Sequence, residues 1–180
     1  ETKGEALLYQ GQVLPAYFHA TCAGHTEDAS NLWNINLPPL KGVPCGFCKG
    51  SPHFNWHYVF AKKEVIDKLS SSGYKIKQIS GIRIDSRNAS GRVSGLIILS
   101  GSGELRISAK DFRNILGPNL IRSTNFEVRA VKDDLVFEGI GWGHGVGLCQ
   151  WGAYFMAKQG WDYKKILQHY YPGAVISTAK

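Results

Sequence analysis

Between Gly139 and Gly147 a glycine occupies every second position, in the run Gly-Ile-Gly-Trp-Gly-His-Gly-Val-Gly. Removing Cβ from alternate residues lets the backbone take positive φ and lets a bulky group approach it closely. From Val146 onward the pattern changes to Leu148, Trp151 and Phe155, with Ala153 and Ala157 between them, which is the spacing of a buried helix face. The run therefore reads as a loop that delivers Trp142 and His144 to the start of a helix. A nucleotide-binding reading fails, because neither a Gly-Lys-Ser/Thr nor a well-placed Gly-x-x-Gly follows a strand-like run.

The remaining segments fit around that loop. Residues 7–9 and 13–18, separated by Gln10-Gly11-Gln12, read as a β-hairpin. Residues 51–56 read as a loop anchored by a buried Trp56. A helix is expected over residues 62–69, where Val65, Ile66 and Leu69 share a face and Gly73 lies past the end. Residues 76–107 alternate apolar and polar, with breaks at Asn88-Ala89-Ser90-Gly91 and Ser100-Gly101-Ser102-Gly103, and predict an antiparallel meander. Asn88-Ala89-Ser90 also fits a glycosylation acceptor and is read as turn chemistry. Ser108 is placed to N-cap a short helix through Leu116 that Gly117-Pro118 ends, and Asp162 to cap the last helix over residues 163–169. Residues 135–137 supply a strand feeding the glycine loop. The expectation is one α+β domain over residues 1–180, rich in antiparallel strands with a few short helices.

With 43% hydrophobic and 12% aromatic residues, the chain can bury a core. No apolar run approaches the length of a membrane span, and the start Glu1-Thr2-Lys3-Gly4 lacks a signal peptide's apolar region. The net charge of +7 suits an anionic polymer: nucleic acid, a membrane surface, or wall glycan with its carboxylates and teichoic acids. The Lys and Arg residues are scattered, which also suits a solvated basic surface. They are not interleaved with aromatics as a stacking nucleic-acid binder needs.

The segment from Gly139 to Ala153 resembles the C-terminal signature of the stage II sporulation protein D and amidase-enhancer family, Gly-x-Gly-x-Gly-His-Gly-Val-Gly-Met-Ser-Gln-x-Gly-Ala. It departs from it at Leu148 and Cys149. The run Phe18-His19-Ala20-Thr21-Cys22-Ala23-Gly24-His25-Thr26-Glu27 is similar to the family's Phe-His-Ser-Thr-x-Gly-Gly-x-Thr-Glu, and Ile166-Leu167-Gln168-His169-Tyr170-Tyr171-Pro172-Gly173 to its closing Ile-Leu-x-x-Tyr-Tyr-x-Gly. The resemblance implies binding and lytic-transglycosylase cleavage of peptidoglycan glycan strands in cell-wall remodelling or sporulation, outside the cytoplasm. A non-catalytic wall-binding module or an enhancer of a wall amidase is the alternative. It also implies that His19 and His144 line the groove and that Thr21, Gly24, Thr26, Trp142 and Gln150 touch the sugar. In the family a Glu in a Glu-Met-Pro motif is the acid, and the single methionine here, Met156, lies elsewhere. The chain reads as starting beyond that motif, with Glu27 the one carboxylate inside a signature and so the candidate substitute acid.

Four cysteines permit two disulfides. The spacings Cys45-x-x-Cys48 and Cys22-x-x-His25 instead form two short chelating turns, and thiolate with imidazole is a ligand set that zinc takes in tetrahedral structural sites. Cys149, on the expected helix beside Leu148, reads as a buried free thiol. The expectation is structural zinc held by Cys22, His25, Cys45 and Cys48, with His19 or His53 as substitutes for His25. A redox Cys-x-x-Cys or a Cys22 disulfide is the alternative.

Overall fold

The computed structural model describes every residue except Glu1, Lys3, Ser102, Ala179 and Lys180. The expected polar start at Glu1 and Lys3, and Ser102 of the expected turn, thus lie outside the described residues. The architecture is α+β with mostly antiparallel pairing. The chain divides into two compact units: residues 1–51 with 144–180, and residues 52–143.

The first unit opens on the expected hairpin, β1 (Glu5–Tyr9) with β2 (Gln12–Val13), in the register Leu8 opposite Val13. The second arm does not continue to Phe18, because Pro15 has no N–H to give a ladder. A separate short strand, β3 (Phe18–His19), follows, then β4 (Gly24–His25), the one-turn helix α1 (Ser30–Trp33) and β5 (Pro44–Cys45). β4 pairs with β5 and sets Gly24 opposite Cys45.

The second unit's first strand is β6 (Asn55–Ala61), whose first two residues fall in the loop expected over residues 51–56. Its burial alternates, with Trp56 and Phe60 inward. Helix α2 (Lys62–Ser71) buries Val65 and Leu69. The meander forms as β7 (Gly81–Arg87), β8 (Val93–Ser100) and β9 (Gly103–Ser108). Asn88 makes the intervening turn, its Oδ1 accepting the Arg92 N–H at 3.1 Å and the Ser90 hydroxyl at 2.8 Å. Ser108 caps α3 (Ala109–Leu116) by accepting the Asp111 N–H at 3.0 Å. β10 (Phe126–Val131) and β11 (Asp134–Ile140) complete a sheet in the order β10-β11-β6. Phe60, Phe112, Phe126 and Phe137 meet at the centre of this unit.

The chain then returns to the first unit through β12 (Leu148–Cys149), which pairs parallel with β3. Helix α4 (Gln150–Lys158) follows, and its most buried residues are Gly152 and Met156. The inward face is therefore offset from the expected stripe of Leu148, Trp151 and Phe155, which are half-buried at its sides. Asp162 caps α5 (Tyr163–Tyr170), accepting the Lys165 N–H at 2.8 Å. β13 (Val175–Thr178) pairs with β1 and so joins the two ends of the chain.

Candidate functional site

Alternate glycines of the loop do take positive φ: Gly141, Gly143, Gly145 and Gly147 lie at 83°, 111°, 91° and 71°. At Gly147 the requirement is also steric, since a Cβ there would stand 2.0 Å from the Tyr17 carbonyl oxygen. The Tyr171 hydroxyl closes the same contact, donating to Tyr17 O at 2.6 Å and accepting the Leu148 N–H at 3.2 Å. Burial pushes the Tyr171 phenol up to about 12, an effect the Leu148 N–H partly opposes.

Within the first unit the two signature segments meet. The Glu27 N–H donates to Gly145 O at 2.9 Å, and the His19 Nδ1–H donates to Val146 O at 3.1 Å. The Val146 N–H in turn donates to His144 Nδ1 at 3.1 Å, so a neutral His144 carries its proton on Nε2. The His144 ring lies 5.8 Å from that of His19 and 4.9 Å from that of Trp33, which lies 4.7 Å from Tyr17. An aromatic row of Tyr17, Trp33 and His144 results. Only His144 among its members was expected at the site.

Several expected roles change on inspection of burial. His19, expected to line the groove, is 4% exposed and is spent on the Val146 carbonyl. Thr21 and Thr26, expected to touch sugar, are buried: Thr21 shares a 2.8 Å hydroxyl bond with Ser51, and Thr26 Oγ1 accepts the Val43 N–H at 2.7 Å. They hold the loop and present nothing to solvent. Glu27, the candidate acid, is 1% exposed, and its Oε1 accepts the Asp28 N–H and the Asn31 amide, each at 2.8 Å. It closes the turn into α1. Gly24 and Gln150 are exposed.

In the second unit the glycine loop is strapped on both sides, Gly141 N–H to Phe54 O at 2.7 Å and Gly143 N–H to Arg122 O at 2.9 Å. Trp142 is half-buried there, with the Arg122 guanidinium 4.8 Å over its ring and His53 edge-on at 4.7 Å. His53 thus belongs to this cluster and not to a metal site. A cavity of about 580 Å³ in the same unit is lined by Trp56, Phe126, Glu127 and Glu138, but both carboxylates are committed to ion pairs, with Arg87 and Arg129.

The cysteines correct the sequence reading most directly. Cys22, Cys45 and Cys48 converge as expected, but the fourth member is Cys149, and the four sulfurs lie within 4.8 Å of one another. His25 turns away, its Nδ1–H donating to Thr26 O at 2.6 Å. Cys149 was taken for a free thiol because helix spacing gave it an apolar neighbour. In the fold it is the N-cap of α4, where its Sγ accepts the Gly152 and Cys22 N–H groups, both at 3.3 Å.

All four are buried and free of disulfides. Cys22 and Cys48 sulfurs are 3.6 Å apart, too far for a disulfide bond and close to the edge, about 3.8 Å, of a tetrahedron with metal–sulfur bonds of ~2.3 Å. The cluster fits a metal in its surroundings as well. Gly152 leaves the space: a Cβ there would lie 2.8 Å from Cys45 Sγ and 2.0 Å from the Tyr170 hydroxyl. Tyr170 Oη sits 3.1 Å from Cys45 Sγ as a donor, and burial followed by that contact pushes its phenol up. Hydrogen bonds from Cys149 and Cys22 pull the Cys48 thiol down to about 7, and those from Cys149, Cys22 and Cys48 hold Cys45 well below the ordinary thiol range, while hydrogen bonds among the sulfurs and burial push Cys22 and Cys149 up. The four sulfurs thus compete for protons, and a thiophilic cation would take the place of those protons.

Fold and site together define an α+β protein in which a glycine-rich loop feeds a helix capped by one of four clustered cysteines. A family model described as Domain of unknown function (DUF8618) matches residues 46–147, more than half of the chain, and the chain belongs to that family. An uncharacterized protein of Brachyspira hyodysenteriae is 37% identical over 175 residues, which is 97% of this chain and 46% of the relative. Stage II sporulation protein D of Bacillus subtilis is 32% identical over 99% of this chain and 49% of its own length. The amidase enhancer of Bacillus subtilis is 23% identical over 99% of this chain and 32% of its own length. The chain thus spans about half the length of the first two relatives. Among the described residues no helix is long and apolar enough to cross a membrane.

Proposed function

We propose that this chain holds peptidoglycan glycan strands outside the cytoplasm, as part of a wall-remodelling or sporulation protein that cleaves them in the lytic-transglycosylase manner. The observation that supports this is the meeting of the two signature segments in the first unit, with the His144 imidazole beside Trp33 and Tyr17. Aromatic rings suit the apolar faces of sugars, and loops held by rigid elements suit specific recognition. The similarity to stage II sporulation protein D points the same way. A second reading, a wall-binding module working with an amidase, draws on the similarity to the amidase enhancer.

Cleaving the acetal requires a proton for the leaving oxygen, and a positioned acid contributes about two to four orders of magnitude in rate. Glu27 is buried and its Oε1 accepts two hydrogen bonds within its own turn, so it does not reach a bound sugar, and the Glu-Met-Pro motif is not among these 180 residues. The chain by itself should therefore bind peptide-free strands and release no 1,6-anhydro-muramyl product.

The metal we propose is one zinc ion per chain, held by Cys22, Cys45, Cys48 and Cys149. Four thiolates leave no open position, so its role is structural. Elemental analysis without zinc, or native protein with these thiols paired as disulfides, would overturn that assignment. For the glycan, pull-down on peptide-stripped wall material is expected to weaken in His144→Ala with little change in melting temperature. A large loss of stability with unchanged binding would assign His144 to the core and remove the basis of the reading.

A further inference from the structure

Two adjacent tyrosines in the first unit are equally buried and turn their hydroxyls to different places. Tyr170 and Tyr171 are each 1% exposed. Tyr171 serves the glycine loop, donating to the Tyr17 carbonyl and accepting the Leu148 N–H. The Tyr170 hydroxyl instead lies 3.1 Å from Cys45 Sγ, and Cys45 is buried as deeply, so neither group can exchange its partner for bulk water. The packing is arranged around this contact. Gly152 lies within α4, where glycine is a weak helix former, yet a Cβ at that position would stand 2.0 Å from the Tyr170 oxygen and 2.8 Å from Cys45 Sγ. The glycine leaves room for the hydroxyl to reach the sulfur.

Four thiolates around a divalent cation carry a net negative charge, and a buried charge is costly unless polar groups face it. At Cys149 the backbone meets that need: the sulfur caps α4 at the positive end of its dipole and accepts the Gly152 and Cys22 N–H groups, both at 3.3 Å. At Cys45 the group within reach is a side chain. A metal-bound thiolate has no proton to give, so in the loaded protein the phenol O–H donates and the sulfur accepts. We propose that Tyr170 governs metal retention without being a ligand: its hydroxyl orients the Cys45 thiolate and takes up part of the negative charge of the four sulfurs. This rests on the metal reading above and adds to it a positioning residue outside the four ligands. Partners that hydrogen-bond a metal's ligands are typically worth roughly 10- to 100-fold in affinity.

The test loads the chain with cobalt(II) in place of zinc and compares wild type with Tyr170→Phe, which keeps the ring and removes only the hydroxyl. Wild type should give a tetrahedral cobalt spectrum with sulfur-to-metal charge-transfer bands. Tyr170→Phe should move those bands to longer wavelength, because a thiolate relieved of its hydrogen bond gives up an electron more readily, and should weaken zinc retention by roughly 10- to 100-fold in a chelator competition. Unchanged bands and unchanged affinity would overturn the proposal. Weaker retention with unmoved bands would overturn it as well, and would make Tyr170 a packing residue alone. Should Tyr170→Phe fail to fold, the wild type decides: with an NMR-active cadmium isotope bound, a slowly exchanging tyrosine hydroxyl proton coupled to the metal nucleus is expected, and its absence would overturn the assignment of Tyr170. A wild type that takes up neither cobalt nor zinc would instead overturn the metal reading beneath it.

Discussion

In the second unit the side chains that meet at the centre are hydrocarbon: Phe60, Phe112 and Phe137 are 0% exposed and pack ring against ring with Phe126. In the first unit the corresponding place is taken by four sulfurs, the Tyr170 phenol and the gap left by Gly152. Both units cover short sheets with short helices, yet with the proposed zinc in place they would be stabilised by different physics. Burial of apolar area needs no particular geometry and is spread over many contacts. A four-thiolate zinc centre, as proposed for the first unit, would be directional, depend on one ion and concentrate its effect at a single point. A region built that way could keep long irregular loops in place, and the first unit carries residues 18–27 of one signature and residues 144–153 of the other.

The sharpest way to break this comparison is to remove the proposed zinc. Structural zinc in small domains contributes an apparent ~10–16 kcal/mol, so chelation, or Cys149→Ser, should abolish hydrogen-exchange protection in β3, β12 and α4 while β8 and β11 keep theirs. Equal loss in both units would mean that they form one cooperative block. The converse is Phe137→Ala, which should cost the second unit about 3–5 kcal/mol and leave one metal per chain by elemental analysis. Metal loss in that variant would show the two cores to be coupled.

Gly152→Ala sharpens the comparison from inside the first unit. Its Cβ would collide with the Tyr170 hydroxyl and Cys45 Sγ, so a loss of about 3 kcal/mol is expected, accompanied by weaker metal retention in a chelator competition. A stable, fully loaded Gly152→Ala protein would show that the cradle has more room than the packing indicates. The smallest effect is alkaline. Tyr171 has its phenol raised to about 12, so the folded state holds that proton more tightly than the unfolded chain. The associated stability is complete below pH 10 and is lost as pH rises toward 12, by about 2 kcal/mol. Melting curves from pH 9 to 12 should show this slope, and Tyr171→Phe should lessen it by about that amount while Tyr170, whose phenol is also raised, keeps the remainder.

Much of the secondary structure was legible because it depends on neighbours in the chain. The Val65, Ile66 and Leu69 stripe, the Ser108 and Asp162 caps and the alternation through β7, β8 and β9 are local signals, and each element stands where the residues placed it. β6 was less visible: its alternation is real, but Pro52 and Asn55 made the approach look like a loop. β13 could not be read at all, because its strand character comes from pairing with β1, far away in sequence.

At the site the same division holds. The residues alone pointed to a glycine loop carrying Trp142 and His144 and to Cys45 and Cys48 as a pair, since short chelating spacings and alternate missing Cβ atoms act within a few residues, whereas bringing Cys22 to that pair takes the β4–β5 pairing. Only the tertiary structure decided that Cys149 and not His25 completes the four sulfurs, that Thr21, Thr26 and Glu27 face inward, and that Arg122 comes to lie over Trp142. Those outcomes depend on which backbone segments pack together. That is a property of long-range contacts such as β3 against β12, and no local pattern encodes which of two nearby side chains will end on the inner side.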